Sequence, residues 1–178
     1  MKLTFMRHAQ SEYNAKDLIN QDPKIKVNIT EKGIKQAKKA YNKLKNEKFD
    51  IIFISQFCRT EETAVIIKGE RKAEIKVDNR TNEVKLGYER ENAENYRKDR
   101  RVSGRKINLF KKSEEFESFH DVKIRIEKFI DWLRNEKYEK VLIITHEICC
   151  QCARSIFEGI SEEEAFSTPF ENCGILEL

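Results

Sequence analysis

A chain of 178 residues has room for one folded domain with at most a small cap, and enough interior to build a core without disulfide staples. Charged residues make up 37% of it, but 35 basic against 31 acidic side chains leave a net charge of +4, too mild to imply a polyanionic partner. Five cysteines, an odd number, fit reduced thiols in a cytoplasmic protein better than a disulfide framework. The opening segment is too short and too soon charged for a secretory signal. No apolar run approaches the ~20 residues of a membrane span, so no membrane partner is expected.

Leu3–Met6 is an apolar run of strand length, as in strands buried on both faces, and Arg7 and His8 follow it. Ile34, Ala37, Tyr41 and Leu44 then recur at helical spacing. Ile51–Ile54 reads as a second buried strand, followed by Ser55 to Arg59, and Ile75–Val77 as a weaker one. Residues 88 to 112 break the rhythm and are expected to form a partly helical insertion near the active-site face. Within it, Arg97, Lys98, Arg100, Arg101, Arg105, Lys106, Lys111 and Lys112 stand against a single acid, Asp99. That local +7 suits phosphates or nucleic acid, and equally a solvated surface. Phe119, Val122, Ile126, Phe129, Ile130 and Leu133 describe a second amphipathic helix. Val141–Ile144 is a third buried strand ending at Thr145 and His146, and Gly174–Leu178 is a weak last one. Helices alternating with apolar strands predict an α/β fold with a largely parallel sheet, and residues 1–178 read as a single domain.

Ligands of such sheets gather beyond the carboxyl ends of the strands. Two of the three histidines, His8 and His146, fall there. A phosphoryl group needs donor-rich, positive surroundings, and the guanidinium forks of Arg7 and Arg59 match its oxygens. A neutral imidazole such as His8 can attack phosphorus, while His146 can donate to the oxygens where charge accumulates. A leaving alkoxide needs a proton, which a carboxylic acid of raised pKa supplies. Glu83 is the candidate, with Glu89, Glu91 and Glu94 nearby.

Five ordered segments carry a resemblance. Arg7-His8-Ala9-Gln10-Ser11-Glu12-Tyr13-Asn14 resembles the Arg-His-Gly-Glu-Ser-x-x-Asn signature of the histidine phosphatase (phosphoglycerate mutase-like) superfamily. Ile29 to Ala37 resembles its Leu-Thr-x-x-Gly-x-x-Gln-Ala segment, and Ser55 to Ala64 its Ser-x-x-x-Arg-x-x-x-Thr-Ala segment. Glu83-Val84-Lys85-Leu86-Gly87 and the strand Val141 to His146 are similar to the last two. The resemblance implies a three-layer α/β/α sandwich, a phosphohistidine intermediate on His8, and a phosphate pocket of Arg7, Arg59 and His146 lined by Asn14. It gives Glu83 the role of proton donor. The three histidines are scattered and no Asp/His cluster has ligand spacing, so no metal is expected to be needed, and no cofactor is expected. Ala9-Gln10 departs from the usual Gly-Glu, and Glu147 stands where glycine is common, an added carboxylate that would alter phosphate affinity.

The expected function is a metal-independent phosphomonoester hydrolase. The substrate would be a phosphorylated small molecule or phosphoprotein; its identity and the oligomeric state are not legible. The alternatives are a phosphoglycerate mutase-type phosphomutase, whose longer insert residues 88 to 112 do not match, or a weakly catalytic binding module using the basic 97–112 stretch. Nucleic acid is not an expected partner of the catalytic domain. Cys149, Cys150 and Cys152 form one cluster rather than two separated pairs, so core packing is expected rather than zinc. Cys149 and Arg154 are also one residue too close for a cysteine-phosphatase loop.

Overall fold

Alternation of side chains along buried strands sorts this chain into three layers. The structure, a computed structural model, describes residues 1–94 and 116–178. The basic residues from Arg97 to Lys112 lie outside the described residues. In chain order the elements are β1 (Lys2–Arg7), α1 (Glu12–Ala15), α2 (Glu31–Leu44), β2 (Ile51–Ile54), α3 (Cys58–Lys68), β3 (Glu74–Val77) and a 3₁₀ turn (Asn79–Thr81). After the undescribed segment come α4 (Phe119–Arg134), β4 (Lys140–Thr145), α5 (Glu147–Glu158), α6 (Glu162–Ser167) and β5 (Ile175–Glu177). The sheet runs β3-β2-β4-β1-β5, parallel except for β5, which pairs antiparallel with β1 at the edge.

Successive residues of β4 point to opposite faces. Val141 and Ile143 join Phe5 and Phe53 against α4 and α5, meeting Val122, Ile126, Phe129 and the three clustered cysteines. Leu142 and Ile144 join Met6, Ile52 and Ile54 against α2 and α3, meeting Ala40, Leu44, Ala64 and Ile67. A strand covered on both sides has no polar face to show, which is why these runs are unbroken in the sequence. The three cysteines are buried core residues with free thiols, as their spacing led us to expect.

Register levels the strand ends. Arg7 pairs with Thr145 across β1 and β4, and Ile54 with Ile144 across β2 and β4. His8, Ser55 and His146 therefore leave the sheet side by side at its carboxyl edge. Among the described residues no helix is long and apolar enough to cross a membrane.

Candidate active site

The turn after β1 is clamped from behind by α2. Thr30 caps that helix, its hydroxyl accepting from the Gly33 amide. Its own amide donates to the Gln10 carbonyl, and Gln36 Oε1 accepts from the Gln10 amide at 2.9 Å. A Cβ on Gly33 would lie 2.3 Å from the Gln10 carbonyl oxygen, so only glycine lets the helix approach this closely. From α3, Thr63 Oγ1 accepts the Ala9 amide at 3.1 Å. Asn172, just before β5, donates to the His8 carbonyl at 3.0 Å. These bonds hold His8 with 2% of its surface exposed.

Hydrogen bonds define the tautomer of His8. Nδ1 lies 2.7 Å from the Ala9 carbonyl, which can only accept, so Nδ1 carries the proton. Nε2 keeps its lone pair and accepts from Arg59 Nε at 3.1 Å. Burial first, then the charges of Arg59 and Arg7, hold His8 well below the ordinary imidazole pKa. It is neutral near pH 7.

His146 caps α5 with no side-chain cap bond, and its ring meets that of His8 edge-on, centroids 5.1 Å apart. Its Nδ1 accepts from Arg59 Nη2 at 3.1 Å, so its Nε2–H donates to Ser55 Oγ at 2.8 Å. The Ser55 hydroxyl passes the chain to Thr60 Oγ1, and Thr60 donates to the Phe57 carbonyl. Burial and the charge of Arg59 also hold His146 well below the imidazole value.

Arg59, in the first turn of α3, stands between both histidines and over the Phe57 ring. Its Nη1 donates to Asn20 Oδ1, and its Nη2 also reaches the Asn20 carbonyl at 3.4 Å. Asn20 is buried and sits in a loop with no recognisable motif, and sequence reasoning missed it. That loop hangs on Glu89, whose carboxylate accepts the amides of Gln21 and Asp22. Glu89 thus shapes the loop that anchors Arg59, and it lines the same cavity as Glu83. Burial brings the Arg59 pKa down to about 10, which still leaves a full positive charge at neutral pH.

Arg7 leaves the end of β1 with its Nη1 3.0 Å from Glu147 Oε2 and donating to the Phe170 carbonyl. Glu83 follows the 3₁₀ turn, half-buried, with its Oε1 accepting the Val84 amide at 2.9 Å. Burial outweighs that bond and the charge of Arg59, and raises its carboxyl above the usual range. Val84 anchors the segment in the core, and Gly87 takes φ +84°, where other residues are strained. Glu83 and Phe57 also line a cavity of about 780 Å³, whose wall includes Gln21, Gln56, Asn82 and Lys85.

Asn14 is not brought into this cluster by its recorded bonds. It is exposed, and its Oδ1 accepts the Ser11 amide while its own amide donates to Ser11 Oγ. Those are the two bonds of a capping box on α1, set by Ser11 and its third neighbour. Among the described residues, no group of three or more His, Cys, Asp or Glu side chains is placed to hold a metal ion.

Two neutral histidines at the carboxyl ends of adjacent parallel strands, a guanidinium between them and a raised carboxyl beside an open cavity define a phosphoryl-handling α/β enzyme. Residues 3–178 match the model of the histidine phosphatase superfamily (branch 1), and the chain belongs to that superfamily. It is 26% identical over 181 residues to a putative phosphoserine phosphatase 2 of Hydrogenobacter thermophilus, covering 99% of this chain and 88% of the relative. A 2,3-bisphosphoglycerate-dependent phosphoglycerate mutase of Actinobacillus pleuropneumoniae is 45% identical over 74 residues, 39% of this chain and 31% of the mutase. Bacillus stearothermophilus YhfR superposes with a TM-score of 0.84 at 24% identity, over 99% of this chain and 91% of its own, showing the same fold.

Proposed function

We propose that the protein hydrolyses phosphomonoesters without a metal ion, by two displacements through a phosphohistidine on His8. The observation that carries this reading is the Nδ1–Ala9 carbonyl bond, which leaves Nε2 of a buried, neutral imidazole as the nucleophile. In the first displacement Nε2 attacks phosphorus and the ester P–O bond breaks. Glu83 gives its proton to the departing alkoxide. Arg59 and Arg7 turn their N–H groups to the phosphoryl oxygens. His146 joins them by taking a proton on Nδ1, which an arriving dianion favours. In the second displacement the Glu83 carboxylate takes a proton from water as that water attacks phosphorus. The N–P bond breaks and phosphate leaves.

The 780 Å³ cavity beside Glu83 is sized for a small phosphorylated metabolite, whose alcohol portion it would hold. Phosphoserine is the first substrate to try, on the strength of the relative that matches along the whole chain. Rapid-quench incubation with ³²P-labelled substrate should trap an acid-labile, base-stable label on His8. His8→Ala should abolish turnover with folding intact. Activity should persist in excess chelator. Label on Cys149 or Ser55, or activity lost to chelator and restored by zinc or magnesium, would overturn the mechanism.

A further inference from the structure

Arg7 and Glu147 form an ion pair that a dianion must compete with. Glu147 is the first residue of α5, immediately after His146, and its carboxylate is gripped on two sides. Oε2 faces Arg7 Nη1 at 3.0 Å, and Oε1 accepts the Phe170 amide at 3.3 Å. The Phe170 carbonyl accepts from the same Arg7 Nη1, closing a clip between β1, α5 and the segment before β5. Arg7 is not saturated by this clip, for its Nε is buried without a hydrogen-bond partner among the described residues. The clip therefore holds the guanidinium by one nitrogen and leaves Nε as an orphan donor, the arrangement expected of a group waiting for an acceptor.

We propose that Glu147 is a positioning residue that works as a built-in counter-anion: it holds Arg7 in place and weakens the grip of the site on inorganic phosphate, favouring product release. This rests on the phosphatase reading above. Without Glu147, a phosphate dianion would meet two guanidiniums and two neutral imidazoles. With it, one of those two positive charges is already partly neutralised. A hydrolase gains from a product that leaves, whereas a phosphomutase must retain its phosphoryl group.

The same carboxylate also reaches Glu83. The charged groups that act on Glu83 are Arg59 from α3, Arg7 from β1 and Glu147 from α5, and the buried, protonated thiols of Cys149, Cys150 and Cys152 lie within its electrostatic reach. Burial contributes most to raising the Glu83 carboxyl; the two arginines oppose it and Glu147 adds to it. Removing the negative charge at 147 stabilises the Glu83 carboxylate and lowers its pKa. A general acid must be protonated, so the alkaline limb of the pH profile should then move to lower pH.

The test is Glu147→Gln, which keeps shape and hydrogen-bonding capacity while removing the charge, with Glu147→Ala as a second neutralising variant and Glu147→Asp as the charge-retaining control. Inorganic phosphate binding is measured directly by calorimetry at low ionic strength, so that it does not depend on turnover. Both neutral variants should bind phosphate roughly tenfold more tightly, a moderate figure because Glu147 is partly solvated and screened. Their kcat/KM profile on an alkyl phosphate, whose leaving group needs the Glu83 proton, should lose activity at lower pH on the alkaline side, while the profile on p-nitrophenyl phosphate should shift far less. Glu147→Asp should stay near wild type in both respects. Unchanged or weaker phosphate binding in the folded neutral variants would overturn the proposal and reduce Glu147 to a prop for Arg7. Should wild type bind phosphate but fail to turn over phosphoesters, the hydrolase reading would fall while the binding result stood.

Discussion

Arg59 is the side chain on which the free site converges, and its environment makes two substitutions informative. Asn20 is its buried anchor, accepting Nη1 and lying against Nη2. Hydrogen bonds to charged groups are worth about 1.5–3 kcal/mol, so Asn20→Ala should lower kcat/KM by roughly 10- to 100-fold with little change in fold. Wild-type kinetics in that variant would leave Asn20 without a role. Glu83 is the other decisive residue, because its burial favours the protonated form. Glu83→Gln should slow alkyl phosphates by ~10²–10⁴-fold. The loss on p-nitrophenyl phosphate should be far smaller, since nitrophenolate departs without a proton. Equal losses on both substrates would assign Glu83 to binding or structure.

Among the elements, α2 bears on the chemistry without touching it. Its N-terminal turn clamps the Ala9-Gln10 turn through Thr30, Gly33 and Gln36. An alanine at position 33 would gain up to about 1 kcal/mol of intrinsic helix propensity. It would also drive a methyl group to 2.3 Å from a backbone oxygen, and neither the helix nor the turn can yield cheaply. The clash should win. Gly33→Ala is expected to lower stability by about 1–3 kcal/mol in urea titration and to reduce activity by displacing the turn that holds His8. A stabilised, fully active variant would mean that α2 slides freely over the turn. On the opposite face, α5 needs no such clamp. Its Cys149, Cys150, Cys152 and Ala153 pack into the core beneath His146. Burial raises the Cys149 thiol to about 11, so it stays protonated and donates to the Asn82 carbonyl at 3.1 Å.

For the whole molecule, burying two neutral histidines links stability to pH. Both folded pKa values lie below the unfolded value near 6.5, so the unfolded chain takes up more protons once the pH drops beneath it. Their contribution is fully present above pH 6.5 and is lost as pH falls toward the folded values, at up to about 1.4 kcal/mol per pH unit per histidine. Glu83 runs the other way, costing stability as pH rises from 4.5 through its raised folded value. Urea midpoints between pH 7 and 5 should therefore fall in the wild type, and less steeply in His8→Asn. Identical slopes for the two proteins would mean that His8 is not held neutral in the folded state.

What the sequence determined by itself was everything that local patterning encodes. Unbroken apolar runs marked the three central strands, helical spacing marked α2 and α4, and the residues just past the strand ends named His8, Arg59 and His146 before any partner was known. The roles of Ser55, Gly33 and Thr63 were latent in quoted segments, but nothing local tells which bond each one makes. Only the tertiary structure decided that Ser55 holds a histidine 91 residues away. It likewise set Asn20 against Arg59, turned Glu89 to its loop, and closed Glu147 on Arg7. Periodicity and capping act over a few residues and can be read along the chain. A side chain's partners depend on strand register and helix docking, which bring distant segments together and leave no trace in the spacing of either one.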